Sequence, residues 1–322
     1  MLLTARDYTV FQSFGWGEFK RASGWQPLRW VGRGPDGRTG AMVQFLVKKF
    51  PLGCAVAWAP GGPALHFQGD VPAEPAFPAL LSAMKRATPF LLIRFDSYIA
   101  STPDLAAGVG HTFSRPSVPL SSGRSIQFDI SDGEAGFVAR ITSKHRYYLR
   151  KAEGAGLRWE VGASDRNIAA LAALHREMTE SKSLSTPPMS EEQYRELRDR
   201  LTTSGLTLIA GYRGDVPVTS CLTLDFGQKS FYFAAASGAE GRKINAAYAM
   251  MPRLVTELHR KGVTQLDFGG IAPEVPGARG VDHFKRGFGG QPVAYLGEWE
   301  WSSVPLLARV AGRLMRYRGM AA

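Results

Sequence analysis

The sequence predicts an α+β protein made of two tandem domains, each a mixed, mostly antiparallel sheet flanked by helices. Three observations carry this expectation. Both halves of the chain run in one order: helix, short strands joined by explicit turns, helix, strand. At 322 residues the chain accommodates two domains of ordinary size. Its 44 % hydrophobic and 21 % charged content belongs to a folded chain rather than a disordered one.

Along the first half, Gln12 to Gly24 reads as a short amphipathic helix with Phe14, Trp16 and Phe19 on its apolar side and Gly24 ending it. "LRWVG", "GAMVQFLVKKF" and "CAVAWAP" read as strands, parted by the turn segments "RGPDGRTG" and "PLG". "PGGPALHFQGDVPAEP" is a loop, "AFPALLSAMKRA" a helix and "PFLLIRFDS" a strand. "SSGRSIQFDISDG" then leads into the second half.

There, "GEAGFVARITSKHRYYLRKAEGAG" reads as one helix broken at Gly154 and Gly156, and "LRWEVG" as a strand. "DRNIAALAALHREMTESK" places Ile168, Leu171, Ala172, Leu174 and Met178 at helical spacing. Ser190 and Gln193 form a capping box opening the next helix. "LTLIAGYRG" and "VPVTSCLTLDFG" form a hairpin, followed by the strand "KSFYFAAAS", the helix "NAAYAMMPRLVTELHRKG" and the strand "TQLDFGG". Helices, an antiparallel meander, a helix and a strand are the order of an acetyltransferase-like (GNAT) fold. The expected domains are 1–128 and 129–302, with a C-terminal helix at 303–322 packing back on the first.

Composition narrows the function. No apolar run reaches the roughly 18 residues of a membrane span, and the N-terminus lacks the pattern of a signal peptide. Cys54 and Cys221 lie far apart in apolar surroundings, which suits buried thiols better than a disulfide or a metal site. A cytoplasmic protein is expected. The formal net charge is +11, with Arg140, Lys144, Arg146, Arg150 and Lys151 in one short segment and Arg309, Arg313, Arg316 and Arg318 near the end. Such an excess suits a polyanionic partner, whether nucleic acid, a diphosphate-bearing substrate or an anionic membrane face. An Arg-rich codon bias would produce the same excess without any partner.

One series of motifs is more specific than any of these features: "QSFGWGEFK", "PGGP", "SKHRYYLRKAEGAG", "FYFAAAS…NAAYAMM" and, above all, "LDFGGIAPE…HFKRGFGG". In this order and spacing they resemble the Fem-type (FemABX) peptidyltransferases, over nearly the whole chain. The resemblance implies two acetyltransferase-like domains and transfer of an amino acid from aminoacyl-tRNA to an amine, most often on the stem peptide of a peptidoglycan precursor. It implies no cofactor beyond aminoacyl-tRNA as co-substrate. The chain lacks a long helical arm and so is similar to the compact members, whose acceptor can be nucleotide-linked. A monomer is expected, with contact at the inner face of the membrane as a secondary expectation.

Aminolysis of an activated ester needs positioning and oxyanion stabilisation above all. The resemblance gives Lys285 the role of a fixed cation and Phe284 that of the aromatic beside it. The plain alternative for Lys285 is a solvated loop lysine. For the acceptor it points to Lys20, Thr179 and Lys182 as diphosphate contacts, and to Asp96, Tyr232 and Tyr248 as residues lining the acceptor site. Asp96 could equally be a structural strand-end carboxylate, and either tyrosine a core residue. Asp267, at a strand end, is read as a turn cap. For tRNA the candidates are Lys144, Arg146, Arg150, Lys151, Arg309, Arg313 and Arg316.

Three rival readings come from the same residues. A CoA-dependent N-acyltransferase would cradle pyrophosphate on a glycine-rich helix start. The corresponding "RKINAA" puts Asn245 where a glycine is needed, which weighs against it. Another keeps aminoacyl transfer but directs it to a small-molecule or antibiotic amine. The last is a non-catalytic protein that keeps the fold to bind cell-wall precursors, against which the retained Phe284 and Lys285 weigh.

Overall fold

Ser13 caps the first helix of the computed structural model. Its hydroxyl accepts from the Trp16 amide at 3.2 Å, and α1 runs Phe14–Ala22. The structure describes residues 1–34, 36–50, 55–65, 76–87, 90–181, 187–202, 205–272, 279–304, 308–310 and 312–313. Trp16 and Phe19 are buried, but Phe14, expected beside them, is exposed and lies under the Arg29 guanidinium. At 100° per residue, Phe14 sits some 200° from Trp16, so the two cannot share a face.

Strands β1 (Gln26–Arg33), β2 (Thr39–Lys49) and β3 (Ala55–Pro60) follow, then α2 (Ala76–Ala87) and β4 (Phe90–Ala100). A helix that the sequence reading did not contain, α3 (Pro103–Gly110), comes next. Thr102 caps it by accepting from the Leu105 amide, and Pro103 fits its first turn, where no amide is required.

The second half begins with β5 (Arg124–Asp129), a strand inside the segment read as leading into it. Two helices follow in place of the single one expected: α4 (Gly133–Arg140) and α5 (Ser143–Glu153). The chain becomes extended at Ile141 and Thr142, which frees the Thr142 N–H to donate to the Gly287 carbonyl at 2.9 Å. Next come β6 (Arg158–Val161), α6 (Asp165–Ser181) and α7 (Glu191–Arg200), the last opened by both arms of the Ser190–Gln193 capping box. The hairpin β7 (Leu206–Arg213) and β8 (Val216–Phe226) turns at Gly214, and β9 (Lys229–Ser237) pairs alongside. Then follow the short α8 (Ala239–Lys243), α9 (Ala246–Arg260), β10 (Gln265–Gly270), α10 (Arg279–Arg286) and β11 (Gln291–Ser302).

The chain divides into two units, Met1–Arg124 with Ala294–Ala322, and Ser125–Val293. In the first, the strand order is β1-β2-β3-β4-β11, with only β3 and β4 parallel. In the second it is β5-β10-β9-β8-β7-β6, with only β9 and β10 parallel. The two sheets share one plan: an antiparallel meander, a parallel neighbour, then an antiparallel closing strand. Each unit is thus a mixed, mostly antiparallel sheet with helices, the fold class read from the sequence. The domain limits differ from the expected 129–302, because β11 pairs with β4 and belongs with the first unit from Ala294 onward.

Each unit has its own apolar core. The first gathers Phe45, Phe77, Phe95, Phe113 and Trp299. Ala308, in the described part of the C-terminal segment, packs with Trp25 and Trp58 of the same unit. The second core sets Ala249, Met250, Leu254, Val255 and Leu258 of α9 against Phe128, Phe137, Phe268 and Phe288. Each fully buried side chain of this kind contributes about 1.5–3 kcal/mol relative to exposure. That leaves rigid walls for what lies beside Phe288.

Candidate active site

The sequence "DHFKRGFGG" is helix at its start and turn only at its end, not the loop its glycines suggested. Asp282 and Lys285 stand one turn apart on the inner face of α10 and are both buried, while His283 and Arg286 face outward. Lys285 is 9 % exposed, and its Nζ donates to the Gly270 carbonyl at the end of β10 at 2.6 Å. Burial draws the Lys285 amine down to about 8, against the pull of the Asp267 and Asp282 charges. A solvated loop lysine would have neither the anchor nor the burial.

Asp267 shapes the strand end that receives this lysine. Its Oδ1 accepts from the Gly269 N–H at 2.7 Å and from the Ser125 hydroxyl, while Gln127 Nε2 reaches Oδ2 at 3.4 Å. It caps the turn, as its position implied. Asp282 Oδ1 accepts from the Ala272 amide at 3.2 Å, tying α10 to the chain that leaves β10.

Aromatic rings enclose the outer end of the helix. Phe284 meets Tyr248 of α9 edge to face at 5.2 Å and Phe288 at 5.0 Å. Tyr248 in turn lies 5.0 Å from Tyr148. Burial pushes the Tyr248 hydroxyl up, and the Tyr232 hydroxyl well up, so both stay protonated hydrogen-bond donors. Tyr232 stacks obliquely on Phe268 at 5.1 Å and packs against the second core. Phe284, Lys285 and Tyr248 are therefore brought together, with Tyr232 at the edge of the same core. Thr179 is not: on α6, its hydroxyl donates back to the His175 carbonyl at 2.9 Å.

Lys20 and Asp96 belong to the first unit. The Lys20 ammonium lies 4.6 Å over the Trp16 ring, and burial draws it down to about 8. Gln12, from the same motif, donates to the Pro60 carbonyl at 2.9 Å and accepts from the Gln44 amide at 2.7 Å. "QSFGWGEFK" and "PGGP" are thereby joined, although the sequence holds them nearly fifty residues apart. Asp96 is 1 % exposed, and its Oδ1 has no hydrogen-bond partner among the described residues. Burial, and then the Glu298 charge, push its carboxyl up to about 8.

Beside Asp96 lies a charge network absent from the sequence reading. Arg94, fully buried, donates to both Glu298 and Glu300. Glu298 also accepts from the Leu120 and Ser121 amides at 2.5 Å each. A charged residue in the otherwise apolar run "FLLIRFD" was the available signal. On the outer faces, Lys144, Arg150 and Lys151 of α5 are exposed, Arg146 is half-buried, and Arg309 and Arg313 are exposed. Lys182, Arg316 and Cys54 lie outside the described residues. Cys221 is a buried thiol whose titration is pushed up by burial. No cluster of His, Cys, Asp and Glu able to hold a metal occurs among the described residues.

The fold is that of the tandem acetyltransferase-like class. The chain belongs to the FemAB family, whose model matches residues 144–315. Among solved structures it is similar to the crystal structure of FemX, with a TM-score of 0.82 and 16 % identity over 97 % of this chain and 96 % of that one. It is also similar in fold to L-PGS from Bacillus licheniformis (TM-score 0.53, 14 % identity, 94 % and 97 % covered). A tandem GNAT protein from the clavulanic acid biosynthesis pathway gives a TM-score of 0.51 at 11 % identity, over 87 % and 84 % of the two chains. No curated protein sequence matches. No helix among the described residues is long and apolar enough to cross a membrane.

Proposed function

We propose that this protein transfers an aminoacyl group from aminoacyl-tRNA to an amine on the stem peptide of a peptidoglycan precursor. The observation that carries the reading is the Lys285 ammonium, buried and anchored on Gly270 within a FemAB-family segment. The acceptor amine attacks the ester carbonyl and a C–N bond forms. The bond between the carbonyl carbon and the ribose oxygen then breaks, and the proton lost from nitrogen passes to that leaving oxygen, which becomes the ribose hydroxyl. Negative charge grows first on the carbonyl oxygen and then on the ribose oxygen. A cation already stripped of water meets that charge with little reorganisation. Phe284 and Tyr248 supply an apolar wall for the adenosine or the aminoacyl group.

Lys20, held over Trp16, suits a diphosphate on the acceptor, and the exposed Lys144, Arg150 and Lys151 suit the tRNA backbone. Asn245 takes the left-handed conformation at the start of α9, φ 61°, with a side chain where a CoA pyrophosphate would approach bare backbone. This favours tRNA over CoA as donor. The test is incubation with charged total tRNA and nucleotide- or lipid-linked muramyl peptides, followed by mass analysis. A gain of one amino-acid residue, abolished by ribonuclease, is expected. Transfer that survives ribonuclease, or that needs acetyl-CoA, overturns the reading.

A further inference from the structure

The last carbonyls of any helix have no partner within it and must be met from outside. At the end of α10 two of the carbonyls in this turn are met by one neighbouring element, the first turn of α5. The Thr142 N–H donates to Gly287 at 2.9 Å. His145 Nε2 lies 3.1 Å from the Phe284 carbonyl oxygen. A carbonyl can only accept, so Nε2 carries a proton, and burial lowers the titration of the ring, which leaves Nδ1 as the unprotonated nitrogen. Nδ1 is buried and has no hydrogen-bond partner among the described residues.

His145 is fully buried, and its ring also fixes the shape of the turn. A Cβ built on Gly287 would stand 2.0 Å from the imidazole, so ring and glycine occupy complementary space. Phe288 and Tyr248 close around the ring at 5.2 and 4.9 Å. A residue serving only to fill this volume would be better as phenylalanine, which has no buried lone pair to leave unsatisfied. The imidazole therefore earns its place through the N–H that it gives to Phe284.

We propose that His145 is a positioning residue for Lys285. By holding the Phe284 carbonyl and packing on Gly287, it fixes the last turn of α10 and thus the direction in which the Lys285 ammonium points. This rests on the transfer reaction above for its functional meaning, but the geometry it claims can be read without any substrate. Groups facing Lys285 from other elements are the Gly270 carbonyl and Asp267, with Asp282 on its own helix.

The test compares His145→Phe, His145→Gln and Gly287→Ala with the parent, each checked for folding by thermal denaturation. Gln places an amide N–H close to where Nε2 stands. Gly287→Ala pushes the ring away without touching the histidine. The first readout is competitive labelling of amines with acetic anhydride as a function of pH, read on the Lys285 peptide by mass. The second is the split of kcat from KM in aminoacyl transfer. In His145→Phe and Gly287→Ala the Lys285 labelling curve should move toward that of an ordinary lysine. In both, kcat should fall about tenfold or more with KM for the donor little changed, as for loss of a transition-state contact. His145→Gln should recover most of both. A Lys285 labelling curve unchanged in folded His145→Phe or Gly287→Ala overturns the proposal. Because labelling needs no tRNA, it decides the matter even if the parent proves to catalyse some other transfer.

Discussion

Lys285 Nζ lies 2.6 Å from the Gly270 carbonyl oxygen, so the ammonium of α10 is tied to the end of β10 instead of reaching into water. Removing it should slow the chemistry without unfolding the protein. Lys285→Ala is expected to lower kcat by about 10²–10³-fold, the range for loss of one group that stabilises an oxyanion. Lys285→Met should melt no lower than the parent, since it relieves a buried charge while keeping the volume. Full transfer activity in Lys285→Ala would remove the assignment.

The pH dependence has a definite sign. Lys285 is drawn down to about 8 from an ordinary 10.5 by burial. On the proposed mechanism the charged form serves the reaction, so kcat should fall as pH rises through about 8, while a free acceptor amine becomes more available over the same range. A descending limb near pH 8 that vanishes in Lys285→Arg is the expected profile. Stability behaves oppositely. Between about 8 and 10.5 the unfolded chain holds a proton that the folded one has released, so this lysine's cost is relieved as pH rises.

Asp96 titrates with the other sign. Burial and then Glu298 raise it from 3.8 to about 8, so at neutral pH the folded protein keeps a proton that the unfolded chain has lost. Its contribution is greatest below about 4 and is lost as pH rises through 8. Asp96→Asn should therefore melt near the parent at about pH 4 and increasingly above it as pH rises toward 8. Melting curves across that range check it, and a variant less stable at pH 9 would show that the carboxylate is ionised and needed.

Arg94 of β4, with no exposure to water, links Glu298 and Glu300 of the adjacent strand β11. Arg94→Ala would leave two buried carboxylates uncompensated and should destabilise by about 3–5 kcal/mol. Replacing all three residues by apolar ones should cost far less, because no unpaired charge remains. Chemical denaturation of the single and triple variants distinguishes the two outcomes.

Periodicity and turn chemistry made most elements legible. The capping box at Ser190 and Gln193, the hairpin at Gly214 and the long α9 all rest on local preferences that tertiary packing did not override. Other features were not legible, and three of them show why. The break between α4 and α5 depends on the Thr142 amide reaching Gly287, a partner some 145 residues away. Helix α10 hid behind glycines that belong to the turn after it. Gly289 alone there needs a left-handed φ, +82°, and a side chain on it would meet the Arg140 carbonyl oxygen at 2.4 Å. At the site, the sequence singles out Lys285, Phe284 and Tyr248, which the structure brings together, but not His145. Its signal was present in the i, i+4, i+7 spacing of His145, Leu149 and Ala152, which puts an ionisable ring on the inner face of α5.

The closing strand of the first sheet is the last one made. While the ribosome works from Ser125 to Ser302, on the order of ten seconds or more at ordinary elongation rates, β4 has no β11 to pair with. The second unit, which ends at Val293, can finish first, so the earlier-translated half matures later. Throughout that interval the nascent chain carries an open row of amides and carbonyls, the kind of edge that invites a stranger's strand and that chaperones exist to cover.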